Sequence, residues 1–568
     1  MTRNDSSEQT SAAIGALATG GLIGWLYLAN ALWGVPFVPF EISDLIIRLT
    51  PGAIATAGIE ALGLWAQRIL KGIGLLLVVG AGAGLAAWVA RDLTGCRKPV
   101  RSALLPGGAA LLATASIELA LGRGPALIGS SGVILAASLL AWAWVVVWGV
   151  DRAATPSLRG AAAVARHDLT SQEIASEQTP LLAMTSRRRF LAQFGAAALT
   201  VAAGGYVLGQ RLRPRPQRVA LPPPSPTVTP ATPVLSTEIA SAPVPVLATP
   251  APTASQPALL ATPAIPTPSP DTPLPAFIPT PGTRPNITPL ADFFVVDIAA
   301  SDPLAEPATW RLQIKGLVDT PLALTFDELL AYPRVDVHGT LQCISNEVGG
   351  DLIGTTLFSG LHLRDLLAKA RPQGGVEEVI FRSLDGYSES IPWDKALRED
   401  TLLVYGMNGA TLTQEHGYPL RLFNPNHFGM KNPKWLSEIE LVSAAYTGYW
   451  ERRGWDKEAI VKTTAVTDAS QRAGDGALQL GGIAFAGWRG IQEVGVSIDG
   501  GEIRPAVLDR PLSPFTWVRW RYDWPNPPPG SHTVVVRAID GSGEEQTPFV
   551  MGPHPEGASG WHRIRVSV

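Results

Sequence analysis

The stretch "HGTLQCISNEVGGDLIGTTLFSGLHLRDLLAKA", residues 338–370, decides how the second half of this 568-residue chain is read. It opens on a short strand-like run, places Cys343 directly after it, turns through Gly349 and Gly350, and continues into domain-like patterning. A thiol in that position has two readings. It is an inert buried side chain, or it is a thiolate serving as a soft metal ligand. Only one other cysteine exists, Cys96, in very different surroundings, so each thiol is read alone and no disulfide scaffold is expected.

Globular patterning extends to both sides of this stretch. Upstream, "ATWRLQIKGLV" (308–318) alternates like a strand, and "LTFDELLAY" (324–332) has the spacing of a short helix. Downstream come "SLDGYSESIP" (383–392), "MNGATLTQEHGYPLRLFNPNHFGMKNPKWL" (407–436) and "GYWERRGW" (448–455). The last 100 residues hold the alternating runs "EVGVSIDGG", "TWVRWRYDW" and "HTVVVRAIDGSG", which read as an immunoglobulin-like sandwich.

Taken in order with "TLQCISN" (340–346), these motifs resemble the sulfite oxidase family of molybdenum–molybdopterin enzymes, from about Ile287 to the C-terminus. The resemblance implies that Cys343 gives the single protein thiolate to molybdenum. It implies that Asp385, His416, Arg421, Asn432 and Lys434 hold the pterin and its phosphate, and that Phe294 to Asp297 line the pterin. The residue chemistry agrees: a phosphate-bearing cofactor with many ring heteroatoms calls for cations such as Arg421 and Lys434, plus polar partners at the ring edge. The C-terminal sandwich resembles the family's dimerisation domain, so a homodimer is a family expectation.

The departures matter equally. Where the family surrounds its substrate anion with arginines, this chain has Glu347 and Val348, and Val296; the family's substrate-pocket tyrosine falls on Trp455. A doubly charged oxyanion beside Glu347 is repelled, unless that carboxylate is simply a loop side chain in solvent. Cys343, Glu347 and Trp455 are therefore the residues expected at the reacting centre, with sulfite disfavoured as substrate. Arg452 and Arg453 belong to the neighbourhood, but the sequence does not place them.

The first half is of another kind. Apolar segments cover roughly Ala12–Trp33, Gly72–Ala90, Ser102–Leu121 and Ala126–Val150, and a fifth, Phe190–Leu208, follows "TSRRRFLAQFG". Each is near the ~20 residues that a helix needs to cross a bilayer. The piece between the first two, broken by prolines and carrying Glu41, Asp44 and Arg48, reads as an interfacial amphipathic segment. Basic residues gather at Arg91, Arg97, Lys98 and Arg101 and again from Arg152 to Arg189, which puts the N-terminus inside and everything past Leu208 outside a bacterial plasma membrane. Arg187 and Arg188 before an apolar run look like an internal twin-arginine export signal; a plain positive-inside cap would look much the same. Glu60 and Glu118 lie closest to membrane depth and read as solvated helix ends or interhelical bonds.

No histidine falls in a span and no C-x-x-C-H motif occurs, so no haem is expected on this chain. Electrons then need a separate partner, a c-type cytochrome or a quinone-linked subunit. A net charge of −3 without a basic stripe argues against nucleic acid. Residues Pro214–Pro285 carry 22 prolines in 72 positions, too many for a packed core, and read as a disordered stalk.

The expected architecture is a helical membrane domain (1–184), the twin-arginine-like segment with its span (185–212) and the Pro-rich linker (213–285). An α+β molybdopterin domain (286–448) and an all-β immunoglobulin-like domain (449–568) follow. The expected function is an outward-facing, membrane-anchored oxidoreductase moving an oxygen atom to or from a small substrate. The alternatives are a sulfoxide-type reductase of the same superfamily and a non-catalytic binding protein on a stalk.

Overall fold

A computed structural model of the chain describes residues 3–33, 35–50, 65–92, 99–120, 130–154, 172–212, 219, 221, 277–299, 301–306 and 308–568. Glu60, Cys96 and the linker residues 222–276 lie outside these, as do the side chains of Glu118, Arg187 and Arg188.

The N-terminal part is helical: α1 (Arg3–Trp33), α2 (Val38–Leu49), α3 (Trp65–Asp92), α4 (Pro99–Ala120), α5 (Ser130–Ala154) and α6 (Gln172–Leu212). Among the described residues, four helices are long and apolar enough to cross a membrane: Thr10–Trp33, Ile69–Trp88, Ser131–Val150 and Arg189–Leu212. The third expected span, Ser102–Leu121, coincides with α4, whose described apolar stretch is the shorter Gly107–Ile117. Leu76, Leu112 and Leu199 are each about 70% exposed, as side chains facing lipid would be. Small residues bring α1 and α6 together. A Cβ on Gly24 would collide with the Ala202 backbone, and one on Gly205 with the Gly24 backbone, so only glycine permits this approach. The same pair meets again where Gln210 donates to the Tyr27 hydroxyl at 2.6 Å. These contacts follow one another in the same direction along both helices, so α1 and α6 run parallel.

The extramembrane part is built on two sheets and a sandwich. Strands β1 (Leu312–Gly316), β2 (Leu322–Leu324), β5 (Glu378–Ser383), β6 (Ser388–Pro392) and β10 (Leu436–Val442) form one sheet in the order β2-β1-β10-β5-β6, parallel only between β1 and β10. Strands β3 (Val335–Gln342), β4 (Ile353–His362), β7 (Leu402–Met407) and β8 (Ala410–Thr411) form the second, with β9 (Arg421–Phe423) paired to β7. The helices α7 (Phe326–Leu330) and α8 (Leu363–Ala370) pack on this core. Thr325 starts α7 with a reciprocal cap: Glu328 N–H donates to its hydroxyl, and its own N–H donates to the Glu328 carboxylate at 2.8 Å. A cap of this kind contributes about 1 kcal/mol. Phe358, Phe381 and Phe423 are fully buried in the core.

The C-terminal part has two four-stranded antiparallel sheets. One holds β11 (Thr464–Arg472), β12 (Leu478–Phe485), β16 (Val518–Trp524) and β15 (Val507–Leu508); the other holds β13 (Ile491–Ile498), β14 (Arg504–Pro505), β17 (Ser531–Asp540) and β18 (His562–Ser567). Leu480, Val494, Trp520 and Val536 fill the space between them, which gives the expected sandwich.

Three segments pack across the expected boundaries. Residues 449–463 precede the sandwich strands, and Trp455 shares one apolar cluster with Ile344 and Met430 of the two-sheet part and Phe485 of the sandwich. At the end of the expected linker, Thr280 donates to the Leu480 carbonyl at 3.1 Å and Arg284 is paired with Asp468 at 3.1 Å, so this piece is packed on the sandwich. Near its beginning, Val219 and Leu221 are bonded to the edge of β8 and its turn.

Candidate functional site

Cys343 follows β3 directly and is 8% exposed. Its N–H donates to the Leu352 carbonyl at 2.9 Å, its carbonyl accepts from Asn346 N–H at 3.0 Å, and Asn346 Oδ1 accepts from Leu352 N–H at 2.9 Å. The glycine-containing loop is thus closed at its base with the sulfur held there, 3.1 Å from the Ser345 hydroxyl. Burial raises the thiol above its ordinary value, against the Ser345 bonds that lower it. A thiolate in this place needs a cation at the sulfur, which a metal ion supplies.

The sulfur faces a cavity of about 690 Å³. Each of the ten residues expected from the motifs lines it: Phe294, Asp297, Cys343, Glu347, Asp385, His416, Arg421, Asn432, Lys434 and Trp455. They come from five separate segments, which the two sheets and the 407–436 loop bring together.

Their roles in the fold differ. Arg421, at the start of β9, is fully buried; it donates to the carbonyls of His416 (3.2 Å) and Asn432 (3.3 Å), while its Nε has no hydrogen-bond partner. Burial lowers its pKa to about 10, and Asp297 pulls it upward. Lys434 is paired with Asp297 and donates to the Glu415 carbonyl at 2.8 Å. Gly417, at φ +105°, lets the His416 loop close over the Lys434 side chain, where a Cβ would crowd it. Burial raises Asp385 to about 6, and Tyr387 N–H and Lys434 oppose that rise. His416 is 2% exposed and stands edge-on to Phe293.

Asn432 lines the cavity and is also bonded within its own loop. Its Oδ1 accepts from Asn424 N–H at 2.7 Å and its Nδ2 donates to the Phe428 carbonyl at 3.0 Å, so the amide also shapes the loop. Lys431, next to it, is spent differently: it is buried between Glu389 (2.9 Å) and Glu451 (2.6 Å).

The motifs left two further lining residues without a place, Arg453 and Tyr387. Arg453 lines the cavity, with its guanidinium 3.7 Å from the centre of the Tyr449 ring, whereas Arg452 donates to the Thr447 carbonyl beside Tyr446. Glu347 is exposed at the rim, so the cavity carries both an acidic and a basic side chain near its mouth. Tyr387, two residues after Asp385 in the same motif, is buried and donates to the Met430 carbonyl at 2.7 Å. Trp455, 5% exposed, has an indole N–H with no hydrogen-bond partner.

A buried guanidinium with an unused N–H, a lysine, a carboxyl held near neutrality and one thiol form a donor set suited to a phosphate-bearing pterin with a thiolate-bound metal. Comparison with known proteins agrees. The family described as "Oxidoreductase molybdopterin binding domain" matches residues 299–450. An uncharacterised oxidoreductase, YuiH, of Bacillus subtilis (strain 168) is 34% identical over 146 residues, covering 26% of this chain and 72% of its own. Mitochondrial sulfite oxidase of Macaca fascicularis is 30% identical over 322 residues, covering 47% of this chain and 59% of its own. Among solved structures, the sulfane dehydrogenase SoxCD from Paracoccus pantotrophus aligns with a TM-score of 0.44 at 23% identity, over 50% of this chain and 81% of that one.

The chain belongs to the sulfite oxidase family of molybdopterin oxidoreductases. It is an enzyme of that type, carried on a helical region suited to a membrane, and it spans 59% of the mammalian sulfite oxidase that it matches.

Proposed function

We propose that this protein transfers an oxygen atom to or from a small neutral substrate, on the outer side of a bacterial plasma membrane. The observation that carries this reading is the shared cavity of Cys343, Arg421 and Lys434 with Glu347 at its rim. Cys343 would hold molybdenum through its thiolate; Arg421, Lys434, His416 and Asp385 would hold the pterin and its phosphate. Bound there, the cofactor supplies two-electron oxygen-atom transfer.

The chain's own residues do the rest. Arg421 has a free N–H already oriented by two backbone carbonyls, which favours binding over reorganisation. Trp455 and Tyr387 wall the space beside the sulfur and exclude water. Glu347 opposes a doubly charged oxyanion, and Arg453 provides at most one nearby positive charge. A neutral S-oxide or similar oxygen donor meets no such repulsion, which favours the sulfoxide-type reductase over a sulfite-oxidising enzyme. Presence of the whole donor set counts against a non-catalytic binding protein.

The parallel run of α1 and α6 supports the topology drawn from the basic residues, with Trp33 and Leu212 both at the outer face. The arginines before α6 fit a twin-arginine signal, because a pterin inserted in the cytoplasm requires a domain that crosses already folded. Electrons would come from an external c-type cytochrome or a quinone-linked partner. A screen of sulfite against neutral S-oxides with a redox dye tests the substrate class. Turnover of S-oxides without sulfite oxidation is expected; efficient sulfite oxidation would overturn it.

A further inference from the structure

The cavity that holds Cys343 has a second wall, and the membrane helices make it. Ile47 and Thr50 at the end of α2, and Ile69, Leu70 and Ile73 at the start of α3, line it together with Phe294 and Trp450. Ile69 and Ile73 are 43% and 40% exposed, so this wall is an open aliphatic surface. It continues directly into the apolar length of α3.

The chain itself holds the two parts together. Thr411 N–H donates to the Val219 carbonyl at 3.0 Å, Val219 N–H donates to Thr411 Oγ1 at 3.1 Å, and Leu221 N–H donates to the Gly409 carbonyl at 3.1 Å. The Leu221 side chain packs against the core beside Gly406. Seven Cα-to-Cα steps lead from Leu212, the end of α6, to Val219, a reach of at most about 25 Å when fully extended. These bonds therefore keep β8 within that reach of the end of α6.

We infer that the membrane-side mouth of this cavity binds the head group of a lipid-soluble quinone. The inference rests on the oxidoreductase reading above and names its electron partner. The sequence has no haem or iron–sulfur motif, so the electrons arrive on a carrier. A soluble cytochrome docks through a polar, charged rim. Glu347 and Arg453 charge one part of the lining, but the wall made by α2 and α3 is aliphatic and adjoins a span, which suits a carrier with an apolar tail lying in the bilayer. Trp450, half-buried in the lining and backed by Trp455 with ring centroids 6.3 Å apart, offers an aromatic surface for a planar head group. The balance closes. The hydroquinone gives up two electrons and two protons and leaves as quinone, while the oxygen atom lost by the substrate takes both protons and leaves as water.

The test uses the full chain in phosphatidylcholine nanodiscs and an azido-benzoquinone with a decyl tail, cross-linked by light and mapped by mass spectrometry. Label is expected on the peptides holding Ile47–Thr50, Ile69–Ile73 and Tyr449–Trp455, displaced by excess unlabelled decyl-benzoquinone. Ile69→Asp should reduce it roughly tenfold, a loss of about 1.4 kcal/mol. Ile69→Phe with Ile73→Phe, which fills the mouth and stays apolar, should do the same without disturbing insertion. Label confined to the lipid-facing surfaces near Leu112 and Leu199, or unchanged in both variants, would overturn the site. Molybdenum is measured on the same sample. Molybdenum without mouth labelling leaves the oxidoreductase reading standing and removes the quinone; mouth labelling without molybdenum keeps the binding site and removes its redox role.

Discussion

Arg421 donates to the carbonyl oxygen of Asn432 at 3.3 Å and keeps its Nε unbonded beside the cavity that Cys343 faces. A buried cation hydrogen-bonded only to carbonyls, with Asp297 as a partial counter-charge, is a costly arrangement for stability, and an anionic ligand relieves it. Arg421→Met therefore separates the two roles. Two carbonyls lose a donor and a buried charge disappears, so the fold should shift by no more than about 2 kcal/mol. Pterin content should fall at least roughly tenfold, about 1.4 kcal/mol or more in binding. Thermal unfolding and fluorescence of the extracted pterin read the two effects; unchanged pterin would remove Arg421 from the site.

On the proposed reading, Glu347 at the rim selects against an anionic substrate. Changing it to Arg replaces repulsion with attraction, and kcat/KM for sulfite should rise by about tenfold or more, roughly 1.4 kcal/mol in the transition state. The neutral S-oxide should change far less. Equal effects on both would mean that Glu347 acts through loop structure and not through charge.

Asp385 gives a pH signature. Burial raises its pKa from 3.8 to about 6 in the folded protein, so between those values the folded chain holds a proton that the unfolded chain has released. Its contribution to stability is full at low pH, falls as pH rises through that window, and is flat above it. In cofactor-free protein, Asp385→Asn should become more stable relative to the parent as pH goes from 4 to 7, by at most about 3 kcal/mol. The amide oxygen can still accept the Tyr387 N–H, so the turn is kept. A difference that stays constant across the window would contradict the assignment.

Much of the catalytic part is legible in the sequence. The alternation in "HTVVVRAIDGSG" and the cap at Thr325 are local signals, and β17 and α7 appear where they point. The motif set also names residues that do share one cavity. What the sequence could not show is tertiary. Arg453 and Arg452 are adjacent and chemically identical, and only the turn after Trp450 sends one to the cavity and the other away. Asn432 stands in the motif as a cofactor ligand, and only the fold shows that its amide is also bonded to Asn424 and Phe428. Val219 and Leu221 stand among prolines, where composition predicts no pairing; the β8 edge supplies their partners.

The arginines before α6 remain a proposal with a direct test. Arg187→Lys with Arg188→Lys keeps the positive charge that orients the helix and removes the pair that a twin-arginine system reads. The C-terminal part should then stay protected from protease added to spheroplasts, while α1 to α5 still insert. Normal export of the double variant would return the pair to a simple positive-inside cap.

The central claim is that this cavity holds a molybdopterin through Cys343. Molybdenum and pterin, quantified together in the purified full chain and in Cys343→Ser, test it most directly. Stoichiometric molybdenum and pterin in the parent, with an altered metal spectrum or lost metal in the variant, is the predicted result. Parent protein that carries neither, or a Ser variant whose metal spectrum is unchanged, would contradict it.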